Sequence, residues 1–386
     1  MTCGVRFPTL RGMKKLLHPH ALLATLFLLA GPGAAHATGH AESLVPTGGE
    51  AVAGAARTVT DALGRELRID VPPERIVTAG RAVLMIADVL YAFPGVPERL
   101  VGIGRIRQGR GSFVAELDPA FAEKTILERN VGPEQIAALQ PGLVILKTFM
   151  REPLGRQLED LGIPVFYVEL ETPEQYQRDI LALGRVLGED ERASDIAAFY
   201  SEHTTRIETR TTQIPARRKP ETLLLYARRS DADTAFQVPP DTWIQTRMVE
   251  LAGGTPVWRG SNPGGGWATV SFEQIAAWDP QHIMIIAYDG SAPEIRDRLL
   301  EDARWQELQA VGRGRLHAFP MDFYSWDQPD TRWILGLEWL ASRLQPELFN
   351  DRDMDSLMRE FFSQLYGLTY AGFDRIIAPT LAGDID

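Results

Sequence analysis

The sequence is poor in the residues that thiol and metal chemistry need. Its one cysteine in 386 residues is Cys3, so an internal disulfide framework is excluded. Of seven histidines, His40, His203, His282 and His317 lie beyond the N-terminal segment. None stands at metal-ligand spacing from another, so a bare Zn²⁺ or Mn²⁺ site, which gathers histidine with carboxylates, is not expected. Positive charge is also scarce: 40 Lys and Arg face 51 Asp and Glu, for a formal net charge of −11. That balance argues against general binding to nucleic acid or anionic lipid, while leaving room for a local basic pocket. No apolar run reaches the roughly 20 residues of a membrane span. The G-x-S-x-G elbow, the H-E-x-x-H helix and the P-loop are absent, and Arg107 stands where a dinucleotide fingerprint begun by Gly102-Ile103-Gly104 needs its third glycine. A hydrolase built on two carboxylates stays open, since 51 acids offer many pairs, but no enzyme is the reading the sequence favours.

What is present begins with a targeting signal. Lys14 and Lys15, an apolar run over residues 21–30 and the small-residue pattern Ala35-His36-Ala37 make a secretory signal peptide over residues 1–37, starting at Met1 or Met13. Its removal takes away Cys3, Arg6, Arg11, Lys14 and Lys15 and no acid, moving the net charge to about −15. No cysteine follows the cleavage point, so a periplasmic protein that is not a lipoprotein is expected. Residues 38–56, rich in Gly, Ala and small polar residues, read as a flexible leader.

From residue 57 short apolar runs alternate with helical patterns. Ile76-Val77, Val101-Gly102-Ile103, Leu143-Val144-Ile145-Leu146 and Val165-Phe166-Tyr167-Val168 read as buried parallel strands. They define an N-terminal α/β lobe over residues 57–171. A helical linker follows over 172–214, started by Thr172-Pro173-Glu174 and holding a long helix from about residue 191 to 212. Strands at Leu223-Leu224-Leu225-Tyr226, His282-Ile283-Met284-Ile285-Ile286 and Leu316-His317-Ala318-Phe319 define a C-terminal α/β lobe over 215–345. A C-terminal helix and tail complete the chain over 346–386. The unit Glu134-Gln135-Ile136-Ala137-Ala138, Pro141 and a strand returns 139 positions later as Glu273-Gln274-Ile275-Ala276-Ala277, Pro280 and a strand. The fold expected is therefore α/β, with two lobes, each a mostly parallel sheet flanked by helices, bridged by one long α-helix.

Ligands of open α/β sheets bind beyond the carboxyl ends of the strands. There the sequence places Arg81, then Arg105, Arg107 and Arg110, then Lys147, then Arg228, then Tyr288, then Asp322, Tyr324, Trp326 and Asp327. Arginine offers a planar fork for anionic oxygens, and Trp and Tyr offer flat faces with a polar handle. Taken singly, each arginine reads equally as a loop residue paired to a nearby acid. As a group they point to an anion-binding cleft, with Arg81, Arg105, Arg107, Arg228, Trp267, Tyr288, Tyr324 and Trp326 as candidate ligand residues. The run Gly264-Gly265-Gly266 before Trp267 reads either as a loop closing over ligand or as a surface loop with Trp267 tucked inward.

Several segments resemble one known family: Val59-Thr60-Asp61-Ala62-Leu63-Gly64-Arg65, Pro73-Glu74-Arg75-Ile76-Val77, both Glu-Gln-Ile-Ala units, Leu161-Gly162-Ile163-Pro164-Val165, Trp305-Gln306-Glu307-Leu308 and Gly314-Arg315-Leu316. In this order they are similar to the iron-siderophore, haem and vitamin B12 class of periplasmic binding proteins of ABC importers, over most of residues 57–345. The resemblance implies two lobes with ligand between them, no cofactor, and Glu134 and Glu273 meeting arginines of an importer permease. Both glutamates also read as first-turn acids that favour the helix dipole. The arginines favour an anionic ferric siderophore. An oxoanion such as molybdate would use the same groups, vitamin B12 would lean on Trp267, Tyr288 and Trp326, and haem would need Tyr226 or Tyr288. A monomer with small closing motion is expected, and a sensor that kept the fold without transport is the alternative of another class.

Overall fold

The computed structural model of the chain describes residues 55–229 and 234–385. The expected signal peptide and nearly all of the leader lie outside these residues. Among the described residues no helix is long and apolar enough to cross a membrane.

An antiparallel ribbon, β1 (Ala55–Thr60) and β2 (Glu66–Val71), opens the first lobe. Then β3 (Ile76–Thr78), β4 (Leu100–Gly104), β5 (Thr125–Leu127), β6 (Leu143–Lys147) and β7 (Val165–Val168) form a sheet of order β5-β4-β3-β6-β7. Every pairing in it is parallel. The strand sequences explain this, because β6 (LVILK) and β7 (VFYV) are buried at every position, as strands covered on both faces must be. Their period of two divides them between two cores. Leu143, Ile145, Phe166 and Val168 pack on one side with Ile76, and Val144, Leu146, Val165 and Tyr167 pack on the other with Val77.

The second lobe holds β8 (Glu221–Arg229), β9 (Thr234–Val238), β10 (Thr255–Pro256), β11 (Ala268–Val270), β12 (His282–Ile286) and β13 (Leu316–Ala318), in the order β11-β9-β8-β12-β13 with β10 also beside β8. β8 pairs in parallel with β10 and β12, and β12 with β13, whereas β9 turns back on β8 and β11 on β9. The antiparallel strands β9 and β11 escape a sequence reading because they are short and mostly half-exposed.

The repeated unit is real in three dimensions. Helix Pro133–Ala137 leads into β6, which lies between β3 and β7, and helix Phe272–Trp278 leads into β12, which lies between β8 and β13. Each turn puts a non-glycine residue in the left-handed region just before its proline: Gln140 (φ 48°) before Pro141 and Asp279 (φ 39°) before Pro280. Such a conformation costs an L-residue roughly 1–2 kcal/mol, and here it recurs at equivalent positions.

Between the lobes, Thr172 caps helix Pro173–Leu187 through the Gln175 amide (3.3 Å), and Gly188 (φ 80°) ends it. The bridging helix Asp190–Thr211 has 22 residues, about 33 Å at 1.5 Å per residue. It buries Ala193, Ile196, Ala197, Tyr200, His203, Ile207 and Thr211, a stripe at helical spacing. Gly184 lets the two helices cross closely, since a Cβ there would lie 2.2 Å from that of Ala193.

A buried ionic cluster ties the lobes together. Arg332, fully buried, donates through Nε to both Asp322 oxygens (2.6 and 2.8 Å), and through Nη1 to Asp88 on helix Val83–Tyr91 of the first lobe. Its backbone N–H donates to Asp330 (2.7 Å). The rings of Phe113, Tyr324 and Phe362 lie 4.6, 5.0 and 5.6 Å from the guanidinium carbon. Burial pushes the Asp88 carboxyl up to about 6 against the pull of Arg332, and holds that of Asp330 well above the usual carboxylate range.

The C-terminal region adds helices Met354–Tyr366 and Tyr370–Ile376, the latter not foreseen. Beyond them Ala382 and Met321 exchange two backbone hydrogen bonds (2.9 and 3.0 Å), and the Asp384 N–H donates to the Ala318 carbonyl (2.9 Å). The tail is thus built into the exit of β13.

Candidate ligand-binding cleft

At the carboxyl ends of both sheets lies an open cleft of about 560 Å³. The first lobe contributes Arg81 after β3, Arg105 and Arg107 after β4, and Arg129 after β5. The second contributes Tyr226 and Arg228 from the end of β8 and Tyr288 and Asp289 after β12. All five arginines are exposed.

Local backbone geometry sets their placement. After β3 the chain passes through Gly80 (φ 87°) and Ala82 (φ 57°) into helix Val83–Tyr91, which presents Arg81 at the cleft. Arg105 and Arg107 each donate to Glu128 (2.7 Å both). These hydrogen bonds, Arg107 first and then Arg105, hold the Glu128 carboxyl below its usual range. Arg81 lies over the Phe149 ring, 5.6 Å from its centroid. Among the described residues, Arg81, Arg129 and Arg228 form no ion pair.

The second lobe supplies an aromatic wall. Tyr226 and Tyr288 stack at 4.7 Å, with Trp267 behind them at 5.1 and 6.4 Å and Trp243 beyond it at 5.8 Å. The Tyr288 hydroxyl donates to Asp327 (3.0 Å), which also accepts from Gln245 (3.1 Å) and Ser325 (2.6 Å). Burial raises the Asp327 carboxyl to about 6 despite these donors. Tyr288 therefore turns its ring, not a free oxygen, toward the cleft.

The cleft floor is sealed by a crossing of the lobes. The Gly109 N–H donates to the Tyr288 carbonyl (3.2 Å) and the Arg110 N–H to the Phe323 carbonyl (2.8 Å). Gly109 has φ 85°, and a Cβ on it would lie 2.1 Å from the Phe323 oxygen, so only glycine fits there.

Of the residues expected at the site, the structure brings Arg81, Arg105, Arg107, Arg228 and Tyr288 together along the cleft. Trp267 stands behind its wall. Asn262 holds the loop before Trp267 by donating to the carbonyls of Val238 (2.9 Å) and Gly266 (2.8 Å), and Trp267 itself is half-buried against the wall. Tyr324 and Trp326 do not line the cleft. Both are fully buried, Tyr324 accepting the Phe113 N–H (3.1 Å) and Trp326 donating to Asp322 (2.9 Å). After β13 the chain folds inward through the Met321–Ser325 bridge, which carries both rings under the Arg332 cluster instead of outward. Lys147 is buried and paired with Glu171 (2.6 Å), and Arg110 donates to the Thr380 carbonyl (3.1 Å). His282 and His317 stack on each other 6.0 Å apart, and burial lowers them to about 3 and about 4, so both are neutral. Arg129 and Asp289 were not expected. Arg129 follows the three-residue strand β5, and recognising Thr125-Ile126-Leu127 as a strand would have led the same strand-end rule to it.

A family model described as periplasmic binding protein matches residues 85–322. The chain belongs to that periplasmic binding protein family. Like other members it is a solute-binding protein of ABC importers and not an enzyme. It is 24% identical over 339 residues to the molybdate-binding protein MolA of Haemophilus influenzae, covering 81% of this chain and 92% of that protein. A periplasmic solute binding protein from Veillonella parvula DSM 2008 superposes with a TM-score of 0.67 at 25% identity, covering 84% of this chain and all of the other. An ABC transporter solute binding protein from Sulfurospirillum deleyianum DSM 6946 gives 0.68 at 22% identity, with 83% and 98% covered. Those likenesses extend over both lobes and the bridging helix.

Proposed function

We propose that this periplasmic binding protein captures a small, multiply anionic ligand, best matched by a ferric siderophore complex, and hands it to the permease of an ABC importer. One observation carries the reading: five exposed arginines from two lobes converge on a single cleft in which Asp289 is the only acid among the described lining residues. Guanidinium forks suit carboxylate, catecholate and hydroxamate oxygens, and about 560 Å³ is the size of a pocket for a drug-sized molecule. The stacked pair Tyr226 and Tyr288 offers a flat wall beside them. A ligand carrying Fe³⁺ already chelated needs no protein-borne metal ligands.

Molybdate is the second reading, favoured by the likeness to a molybdate-binding protein. Four oxygens of about 30 Å³ each would fill roughly a fifth of the cleft. Haem held by Tyr288 is disfavoured, because that hydroxyl is engaged by Asp327. Vitamin B12 loses Trp326 from the surface it would use.

Delivery would proceed through Glu134 and Glu273. Both are exposed in the first turn of equivalent helices, and a helix leading back into a strand begins at that strand's carboxyl end, the end that carries the cleft. Secretion by the 1–37 signal peptide and action as a periplasmic monomer that is not lipid-anchored complete the proposal. Calorimetric titration of the purified protein with a ferric catecholate, a ferric hydroxamate and molybdate tests it. Saturable binding of one of them, weakened at least ~10-fold in Arg228→Ala, is the expected result. Glu134→Ala with Glu273→Ala should leave that affinity intact and abolish stimulation of the reconstituted importer. Absence of binding by all three anions would overturn the reading.

A further inference from the structure

Next to the main cleft lies a second cavity of about 540 Å³. Arg81 and Arg129 line both, so the two spaces meet at one pair of guanidinium groups. The remaining wall is of another kind, comprising Met150, Pro153, Leu154 and the exposed amide of Asn130. Phe149, 45% exposed, lies under the Arg81 guanidinium.

The far wall is preformed. Residues Arg151–Gly155 make a π-helical turn, a widened form that recurs at functional sites. Gly155 lets Tyr167 approach so closely that a Cβ would lie 1.8 Å from its hydroxyl oxygen, and that hydroxyl donates to Glu159 (2.6 Å). Met150 is likewise fixed against Gly80, where a Cβ would lie 2.7 Å from its methyl carbon. A compact oxoanion held by the arginines of the main cleft has no use for this second space.

We propose that the second chamber receives a pendant arm of the ligand, an aromatic ring bearing anionic oxygens, so that the ligand is an extended organic chelate rather than a compact oxoanion. The inference rests on the reading of the main cleft as an anion site. The ring lies against Met150, Pro153 and Leu154, and its oxygens turn back to Arg81 and Arg129 at the junction, where guanidinium planes stack on rings as well as bind oxygens. Arg129 is then a selectivity residue for the arm and Asn130 only a filler of the chamber wall, while Arg105, Arg107 and Arg228 hold the body of the chelate.

The test fills the chamber without touching the main cleft. Asn130→Trp places an indole in it, and Asn130→Ala enlarges it. The probes are the ferric complex of a hexadentate tris-catecholate chelator and molybdate, titrated against the full mature chain. The expected result is at least ~10-fold weaker binding of the ferric chelate by Asn130→Trp, with wild-type affinity in Asn130→Ala and, for any molybdate binding, no change in either variant. Equal chelate binding by wild type and Asn130→Trp overturns the second chamber and leaves the anion cleft standing. Binding of molybdate alone does the same. Failure of both probes removes the anion cleft itself. Loss of both ligands in Asn130→Trp, with far-ultraviolet circular dichroism and urea midpoint unchanged, also overturns the arm, because the substitution would then act through the shared cleft.

Discussion

The same side chain leads two lives in this molecule. Arg332 is fully buried and meets Asp88, Asp322 and Asp330. Arg81, Arg129 and Arg228 are exposed at the cleft and form no ion pair among the described residues. The contrast follows from solvation. A charge taken out of water needs partners that replace its hydration, and here two carboxyls and three aromatic rings surround it. A charge left in water keeps its hydration and stays available for a partner that arrives later. Arg105 and Arg107, shared by Glu128, fall between these extremes. One region joins the lobes, and the other stays open to solvent.

The comparison breaks most visibly at its buried end. Arg332→Met strands the Asp88 and Asp322 carboxyls in the interior and should destabilise the fold by about 3–5 kcal/mol, read as a lower urea midpoint. Arg228→Ala, by contrast, should leave the midpoint within about 0.5 kcal/mol of wild type while weakening ligand binding. Equal stability losses in the two variants would erase the distinction.

The next effect is one of pH. Asp327 has its carboxyl raised from 3.8 to about 6 by burial. Between these values the folded state keeps a proton that the unfolded state has released. Its contribution is therefore fullest below pH 4 and is lost as pH rises through about 6. Asp327→Asn removes this loss, so its stability should fall less than that of wild type between pH 4.5 and pH 7, by about 2 kcal/mol. Asp88, also raised to about 6, titrates in the same direction in both proteins. Parallel pH profiles would count against the buried, protonated state.

The smallest effect sharpens the middle case. Glu128→Gln frees Arg105 and Arg107 at an exposed site, where solvent screens the ion pairs. Thermal stability should barely move, and affinity for an anionic ligand should rise about two- to fivefold in low salt. A fall in affinity would mean that Glu128 positions the two arginines rather than competing for them.

Much of this was legible in the chain. Buried runs such as Leu143-Val144-Ile145-Leu146 announce parallel strands because both faces are covered, and the Glu-Gln-Ile-Ala repeat announces two similar halves. The strand-end rule then found four of the five cleft arginines. It missed Arg129 because β5 has only three residues, too few to display a period. It misjudged Tyr324 and Trp326 because the rule assumes that the chain leaves a strand outward. After β13 the chain turns inward, and the charged groups that draw it there, Asp322 and Arg332, carry no local signature of burial. The antiparallel strands β9 and β11 were hidden because they are short and mostly half-exposed, and the helix Tyr370–Ile376 because its 7 residues are too few to display a helical period.

The bridging helix, the Arg332 cluster and the Gly109 crossing join the lobes. If capture by so braced a frame needs no large closing step, its speed is set by diffusion and by the field the ligand meets. That field changes sign on approach. For the anionic ligand proposed above, the net charge of −11 repels at long range and the cleft arginines attract nearby, with screening over about 8 Å at physiological ionic strength. Salt screens the longer-range repulsion first, so the association rate of such a ligand should rise with the first additions of salt and fall at higher concentration.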